Sequence, residues 1–557
     1  MSHQPALVHA LRVDLEAAGF TVDTLEELLG PVASAALHRD QTVPALDVTD
    51  GRTEAPAVLL RAFVLGAAVP RRALDRALLM TGTDGAERLG LVEADGHGPD
   101  DEVRARVDLR PYAAVDGAGE ASWWLASDLG EVATGRALRP DHVLGVGGAS
   151  TTLAQLTVRS PRRRTLDLGT GCGVQALHAS RHSAAVVATD ISARALDFAR
   201  FNAALAGVSL DLRRGSMLEP VLGSTGAAGG PRDAADLFDL VVSNPPFVIT
   251  PRGSAGTPGT VPLYEYRDGG RAGDDLVRDL VRGVADVLEP GGVAQLLGNW
   301  EHRRAEGWTE RVGGWLDGTG LDAWVVQREV LDPAEYAEMW LRDGGTTQAR
   351  DPQLWADRYR TWMADFAARD VEAVGLGMLL LRRPHHGTPS LRRLEEWTGP
   401  LRQPLGPHLE ASLRAHDWLH AHDAAAARDA LPGPDGVLDA ARLTVAPDVT
   451  EERHLVPGAS DPSVVLLRQG AGFGRVVHAG TALAGLVGAC DGELTVGQIV
   501  GALGTLLDVP VDALCSELLP QVADLLRDGF LLADEVSGAT VAGQDAGRAV
   551  PGSADVA

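Results

Sequence analysis

The sequence predicts an α/β chain built on a parallel sheet covered by helices, with smaller, mainly helical modules before and after it. Three observations predict this. Between about residues 116 and 384, short apolar runs alternate with amphipathic stretches of helical period, as when strands are buried on both faces and helices cross between them. The apolar run Thr165-Leu166-Asp167-Leu168 breaks directly into Gly169-Thr170-Gly171-Cys172-Gly173 and then a helix, the form of a strand end where a ligand meets bare backbone. Finally, 557 residues exceed one core and at ~100 to 200 per domain imply three or four.

Composition narrows the function classes. There are 50 Lys+Arg against 76 Asp+Glu, a formal charge of -26, so no global positive field exists to hold a nucleic-acid backbone and any such contact is local. Cys172, Cys490 and Cys515 lack metal-ligand spacing, which argues against a zinc site and a disulfide framework and for a reducing, cytoplasmic setting. The start, Met1-Ser2-His3-Gln4-Pro5, lacks the basic-then-apolar order of a signal peptide, and no apolar run approaches the ~20 residues that cross a bilayer. We expect neither metal nor membrane.

Residues 1–115 read as a helical, winged-helix-like domain. Leu7, Leu11 and Leu15 recur at helical spacing, 56–69 and 70–80 read as two helices around Gly66, and 91–94 with 103–109 read as a hairpin whose second strand carries Arg104, Arg106 and Arg110. Residues 116–384 form the central domain, with strands expected at 165–168, 185–189, 209–213, 237–243, 292–297, 321–326 and 374–381. A helical linker over 385–437 follows, opening on the hinge His385-His386-Gly387-Thr388-Pro389. A second winged-helix-like domain is expected at 438–534 and a disordered tail at 535–557.

Ligands of parallel sheets collect at the carboxyl ends of the strands. The glycine loop alone fits many nucleotide-like ligands, dinucleotides included. The next strand is more specific: it ends in Asp190-Ile191-Ser192, where a carboxylate accepts two hydrogen bonds from a ribose diol and Ile191 lies against a purine. Asp190 could instead cap the following helix, a task Ser192 performs equally well. Asp167 is placed to orient the loop and a cationic amino-acid end of the ligand; its alternative role is a buried polar anchor.

The fourth strand ends in Asn244-Pro245-Pro246-Phe247. An exocyclic amine or carboxamide nitrogen is a poor nucleophile because its lone pair is delocalised. The Asn244 side-chain oxygen and the Pro245 carbonyl can each accept one of its N–H groups and pull it toward a tetrahedral shape. Pro245 and Pro246 stiffen the backbone that carries both acceptors, and Phe247 offers a flat face for a base or amide.

Asp-Leu-Gly-Thr-Gly-Cys-Gly, Thr-Asp-Ile-Ser and Asn-Pro-Pro-Phe, in that order over about 141–383, resemble the class I S-adenosylmethionine-dependent methyltransferases of the small-domain group. The resemblance implies a Rossmann-like seven-stranded sheet whose last strand, 374–381, runs antiparallel, with S-adenosyl-L-methionine as cofactor. It assigns the cofactor to Asp167, Gly169, Thr170, Gly171, Gly173, Asp190, Ile191 and Asn244. Related enzymes often place an acid after the third strand to read the adenine amino group. Here Gly215-Ser216-Met217 stands there, so Ser216 or a backbone amide takes that contact.

Loops at 223–235 and 250–260 read as loose edges. The segment Tyr264-Glu265-Tyr266-Arg267 reads either as a lid with Tyr264, Tyr266 and Arg267 near the acceptor or as the lead-in to a helix over 276–288. In 332–370, Trp340, Trp355, Tyr359 and Trp362 read as core rather than as a substrate platform. The preferred acceptor is a nucleobase amine, RNA before DNA and ribosomal RNA first, as in the guanine and adenine enzymes of the group. The alternative is a protein glutamine, as in relatives that modify release factors, and the third reading is an inactive cofactor-binding regulator. Net charge favours protein; Arg159 and Arg162 to Arg164 are the local basic patch that could hold nucleic acid.

Overall fold

In a computed structural model, which describes residues 4–135, 138–222, 236–252, 261–385, 387–429 and 438–533, the chain opens with α1 (Pro5–Ala17). Proline at its start has no N–H to leave unpaired, and Val8, Leu11 and Leu15 bury one face. The Thr21 side chain caps α2 (Val22–Leu37), which kinks where Gly30 turns left-handed before Pro31. Then come α3 (Val43–Val48), α4 (Ala55–Leu59) continued by one π turn, β1 (Val69–Pro70), α5 (Arg71–Ala77), α6 (Gly82–Leu89), β2 (Val92–Ala94) and β3 (Glu102–Ala105). The three strands pair antiparallel in the order β1-β3-β2.

The expected strand over 103–109 divides: β3 ends at Ala105, and β4 (Asp108–Asp116) pairs along its length with β5 (Gly119–Ser127). A boundary between residues 115 and 116 would therefore cut a hairpin tip, where buried Asp116 accepts from Arg181 at 3.0 Å and meets His178 Nδ1 at 2.7 Å. The first 115 residues share a core with the central domain, since Leu11, Phe63 and Leu89 belong to the same apolar cluster as Phe198 and Phe201. Residues Met1–Thr398 form one compact unit.

Within it lies an eight-stranded sheet. After α7 (Glu131–Thr134) and α8 (Gly148–Leu156), the chain runs β6 (Arg162–Leu168), α9 (Val174–Ser180), β7 (Ser183–Asp190), α10 (Ala193–Ala206), β8 (Asp211–Arg214), α11 (Glu219–Leu222) and β9 (Phe238–Ser243). It continues through α12 (Asp275–Gly283), β10 (Leu288–Arg303), α13 (Trp308–Leu316), β11 (Asp322–Leu331), α14 (Pro333–Asp343), α15 (Pro352–Ala368), β12 (Val371–Arg382) and β13 (Arg392–Glu396). The order is β13-β11-β12-β10-β9-β6-β7-β8; β12 is antiparallel to both neighbours, and the β6 to β10 pairings are parallel. Seven strands are those expected. The eighth corrects the linker: β13 lies parallel to β11 at the edge, its Glu395 accepting from the Trp324 indole at 2.7 Å. From β6 the chain leaves toward β7 on one side and later returns to β9 on the other, which opens a crevice at their carboxyl ends.

The second unit, Gly399–Ala557, contains a helix over Gly406–Asp429, strands Arg442–Val445, Val449–His454, Val464–Gln469 and Val476–His478, and helices Thr481–Gly488, Val496–Leu507 and Val511–Arg527. Leu443, Leu486, Val500, Leu518 and Phe530 share its core. The expected tail at 535–557, the loop at 223–235, most of the loop at 250–260 and His386 lie outside the described residues. Among the described residues no helix is long and apolar enough to cross a membrane, and no group of three or more His, Cys, Asp and Glu could hold a metal.

Candidate functional site

The crevice is built from the end of β6 upward. Gly171 turns left-handed, φ 55°, and donates its N–H to Asp190 Oδ2 at 2.9 Å, so the loop after β6 is tied to the end of β7. A Cβ on Gly169 or Gly171 would meet no atom within 4 Å, and both residues line a cavity of about 310 Å3. Gly173 has a different task. A Cβ there would stand 3.1 Å from the Ala199 backbone, so it permits close packing against α10 and does not face the cavity.

Asp167 is also behind the loop. It is 1 % exposed, and its Oδ2 accepts from Thr170 Oγ1 at 2.6 Å and from the Ala176 N–H at 2.9 Å. Burial pushes its carboxyl up to about 7. Of the two roles weighed for it, the geometry is that of the buried anchor. Thr170, held by that bond, lines the cavity.

Across the floor, Asp190 Oδ1 accepts the Ser192 N–H at 2.9 Å, and burial raises the carboxyl above its ordinary range. Ile191 is 55 % exposed at the cavity wall, an apolar side chain left in the open beside a carboxylate. Ser216 and Met217 line the facing wall, and Met217 holds a left-handed φ of 47°, a conformation that costs an L-residue energy and that no sequence pattern announces.

At the end of β9, Ser243 Oγ donates to the Leu168 carbonyl at 2.7 Å and locks the two strand ends together. Asn244 and Pro246 line the cavity. The Asn244 Oδ1 is buried without a hydrogen-bond partner, which is costly for an acceptor. The Pro245 carbonyl accepts the Phe247 N–H at 2.7 Å. Phe247 does not line the cavity; it packs between two apolar clusters, one of them the aromatic core of α14 and α15, where Tyr336, Trp362 and Phe366 are buried.

The lid segment divides residue by residue. Tyr264 is buried and donates to the Gly344 carbonyl at 3.1 Å; Arg267 is buried and donates to the Trp340 carbonyl at 2.8 Å and Asp343 at 2.7 Å. Both are anchors facing away, which corrects their expected substrate role. Tyr266 does line the cavity, its hydroxyl on Asp343 at 2.8 Å and its ring edge-on to His142. Sequence reasoning passed over His142, Gln175, Met217, Glu265 and Arg271 as lining residues. Burial lowers the His142 pKa, which favours the neutral ring.

Several arginines of the expected basic patches are engaged with carboxylates. Arg104 bonds Glu102 at 2.6 Å, Arg110 bonds Asp108 at 2.7 Å, Arg163 bonds Glu289 at 2.7 Å, and Arg159 lies 3.3 Å from Asp116.

Residues 145–254 match the family model of the methyltransferase small domain, and residues 17–106 match a domain of unknown function, DUF7059. The chain is 33% identical over 271 residues to a release factor glutamine methyltransferase of Deinococcus radiodurans, covering 45% of this chain and 85% of the relative. A second, from Xylella fastidiosa (strain Temecula1), is 37% identical over 148 residues, covering 26% of this chain and 49% of the relative, so that match spans about half of that protein. Among solved structures, a T. Thermophilus 16S rRNA methyltransferase in complex with AdoMet and guanosine aligns over 50% of this chain and 65% of its own, at 17% identity and TM-score 0.23.

Proposed function

We propose that this chain, which belongs to the class I S-adenosylmethionine-dependent methyltransferases of the small-domain group that includes the release factor glutamine methyltransferases, methylates the side-chain carboxamide of a protein glutamine. The cofactor is S-adenosyl-L-methionine, which brings an electrophilic methyl group on a sulfonium. The residues fit it. Asp190 and Ile191 suit a ribose diol and a purine, Gly169 and Gly171 leave the space a ligand backbone would need, and Ser216 or its neighbours suit the adenine edge.

The observation that carries methyl transfer to a planar nitrogen is Asn244. Its unpartnered Oδ1 accepts an N–H of the incoming carboxamide, withdraws the nitrogen lone pair from conjugation and points it at the methyl carbon. Bound there, the sulfonium would supply the methyl group, the N–C bond forming as the C–S bond breaks with its electron pair left on sulfur, and the nitrogen would then lose one proton to water. Pro245 supports the turn through its carbonyl, and Phe247 supports the loop from its apolar clusters.

A nucleobase was the acceptor preferred from the motifs. The named relatives favour glutamine instead, and of the arginines that were to hold a phosphate backbone, Arg104 and Arg163 are paired with carboxylates. We read residues 55–105, with helices around a β1-β3-β2 sheet, as a winged-helix-like module that docks the protein substrate. A release factor is the first substrate to test. Methylation of a glutamine in that factor, lost when the glutamine is replaced by asparagine, supports the reading; no transfer to it or to any protein in cell extract overturns it.

A further inference from the structure

The lid presents one more carboxylate to the cofactor cavity. Tyr264 and Arg267 are turned inward and held by the Gly344 carbonyl and Asp343, which leaves Glu265 and Tyr266 between them facing the cavity. The Glu265 backbone is itself fixed, its N–H donating to the Pro140 carbonyl at 2.9 Å. The other charged groups lining the cavity have partners within the fold: Arg271 pairs with Asp279 at 3.2 Å, and Asp268 accepts the Tyr264 N–H at 2.5 Å and faces Arg267. Outside the lining, Arg214 donates to the Ile191 carbonyl at 3.2 Å. Among the described residues neither Glu265 nor Asp190 joins an ion pair. Both line the same cavity, where burial first, and then the like charge of Glu265, raises the Asp190 carboxyl.

We infer that Glu265 is a specificity-determining residue of the cofactor site: its carboxylate, on the lid side of the cavity that Asp190 also lines, makes the site favour the cationic sulfonium cofactor over the neutral thioether that remains after methyl transfer. Two like charges lining one cavity oppose each other in the free protein, and a cation bound in that cavity relieves the opposition. The demethylated product offers no such relief at sulfur, so the same pair hastens its departure. The buried, unpartnered Asn244 Oδ1 marks the same cavity as built for a ligand rather than as an acidic patch at the surface.

The inference rests on the cofactor reading and needs no acceptor to test. Calorimetry on the full chain compares S-adenosylmethionine, sinefungin, which carries an amine in place of the sulfonium, and S-adenosylhomocysteine. Glu265→Gln should weaken the two cations about five- to tenfold and the thioether less than about twofold, as a partly screened charge of one unit would. Raising ionic strength should narrow the same preference in the wild-type protein. Equal weakening of all three ligands, or an unchanged ratio in a variant whose melting temperature matches wild type, would overturn the inference. A wild-type protein that binds none of the three would instead overturn the cofactor reading.

Discussion

Asn244→Ala should uncouple stability from activity. In the free protein the Asn244 Oδ1 is buried without a partner, and an unsatisfied buried acceptor costs ~1 to 3 kcal/mol. Removing it returns that cost, less about 1 kcal/mol for the packing that the trimmed side chain no longer provides. The variant should therefore lie between unchanged and about 2 kcal/mol more stable. Its turnover should move the other way. If the same oxygen localises the acceptor lone pair, its loss resembles the loss of one preorganised polar contact in a transition state, about 10²-fold or more in kcat. Affinity for S-adenosylmethionine should hold within a few-fold. Urea unfolding followed by tryptophan fluorescence reads the first unit, since every tryptophan but Trp418 lies within residues 1–398. Initial rates at saturating cofactor give the second number. A variant that is clearly destabilised and turns over within about threefold of wild type would refute the reasoning, because Asn244 would then be a structural acceptor.

Asp190→Ala should cost about 2 to 4 kcal/mol of S-adenosylmethionine affinity by calorimetry in a folded protein, and unchanged affinity would remove Asp190 from the site. Asp167 sits at about 7 against an ordinary 3.8, so the stability its proton confers is full below pH 4 and lost as pH rises through about 7. At ~1.36 kcal/mol per pH unit, the stability of Asp167→Asn relative to wild type should grow by roughly 4 kcal/mol between about pH 4 and pH 8, and a flat difference would contradict the burial argument. Arg267→Met should lower stability by about 3 kcal/mol, because Asp343 and Asp268 lose their buried partner. A stable variant with a raised acceptor KM would restore Arg267 to the substrate site. Activity should change less than about threefold between ~50 and ~200 mM salt, whereas a phosphate-binding enzyme falls by orders of magnitude.

The three motifs were legible because each is a backbone requirement written in residue type: glycines where a left-handed turn meets a ligand, an acid at a strand end, two prolines after an asparagine. Seven strands followed from their apolar runs. The eighth did not, since Arg392-Arg393-Leu394-Glu395-Glu396 carries the charges that keep an edge strand soluble and so reads as loop or helix. The hairpin from Asp108 to Ser127 was hidden for a related reason: its tip residue Asp116 is buried only because Arg159, His178 and Arg181 converge on it from later in the chain. In the lid, residue types suggested substrate contact for Tyr264 and Arg267. Their direction depends on Gly344 and Asp343, 80 and 76 residues away, and no local pattern encodes which of four adjacent side chains turns inward.

Label transfer from S-adenosylmethionine tests the proposed methylation of a protein glutamine most directly. Extract from cells lacking this protein is incubated with purified protein and methyl-labelled cofactor, then divided between nuclease and protease, and the labelled product is hydrolysed and identified. The expected label survives nuclease, is released by protease, is recovered as N5-methylglutamine and is absent with Asn244→Ala. Label released by nuclease and recovered as a methylated base would contradict it.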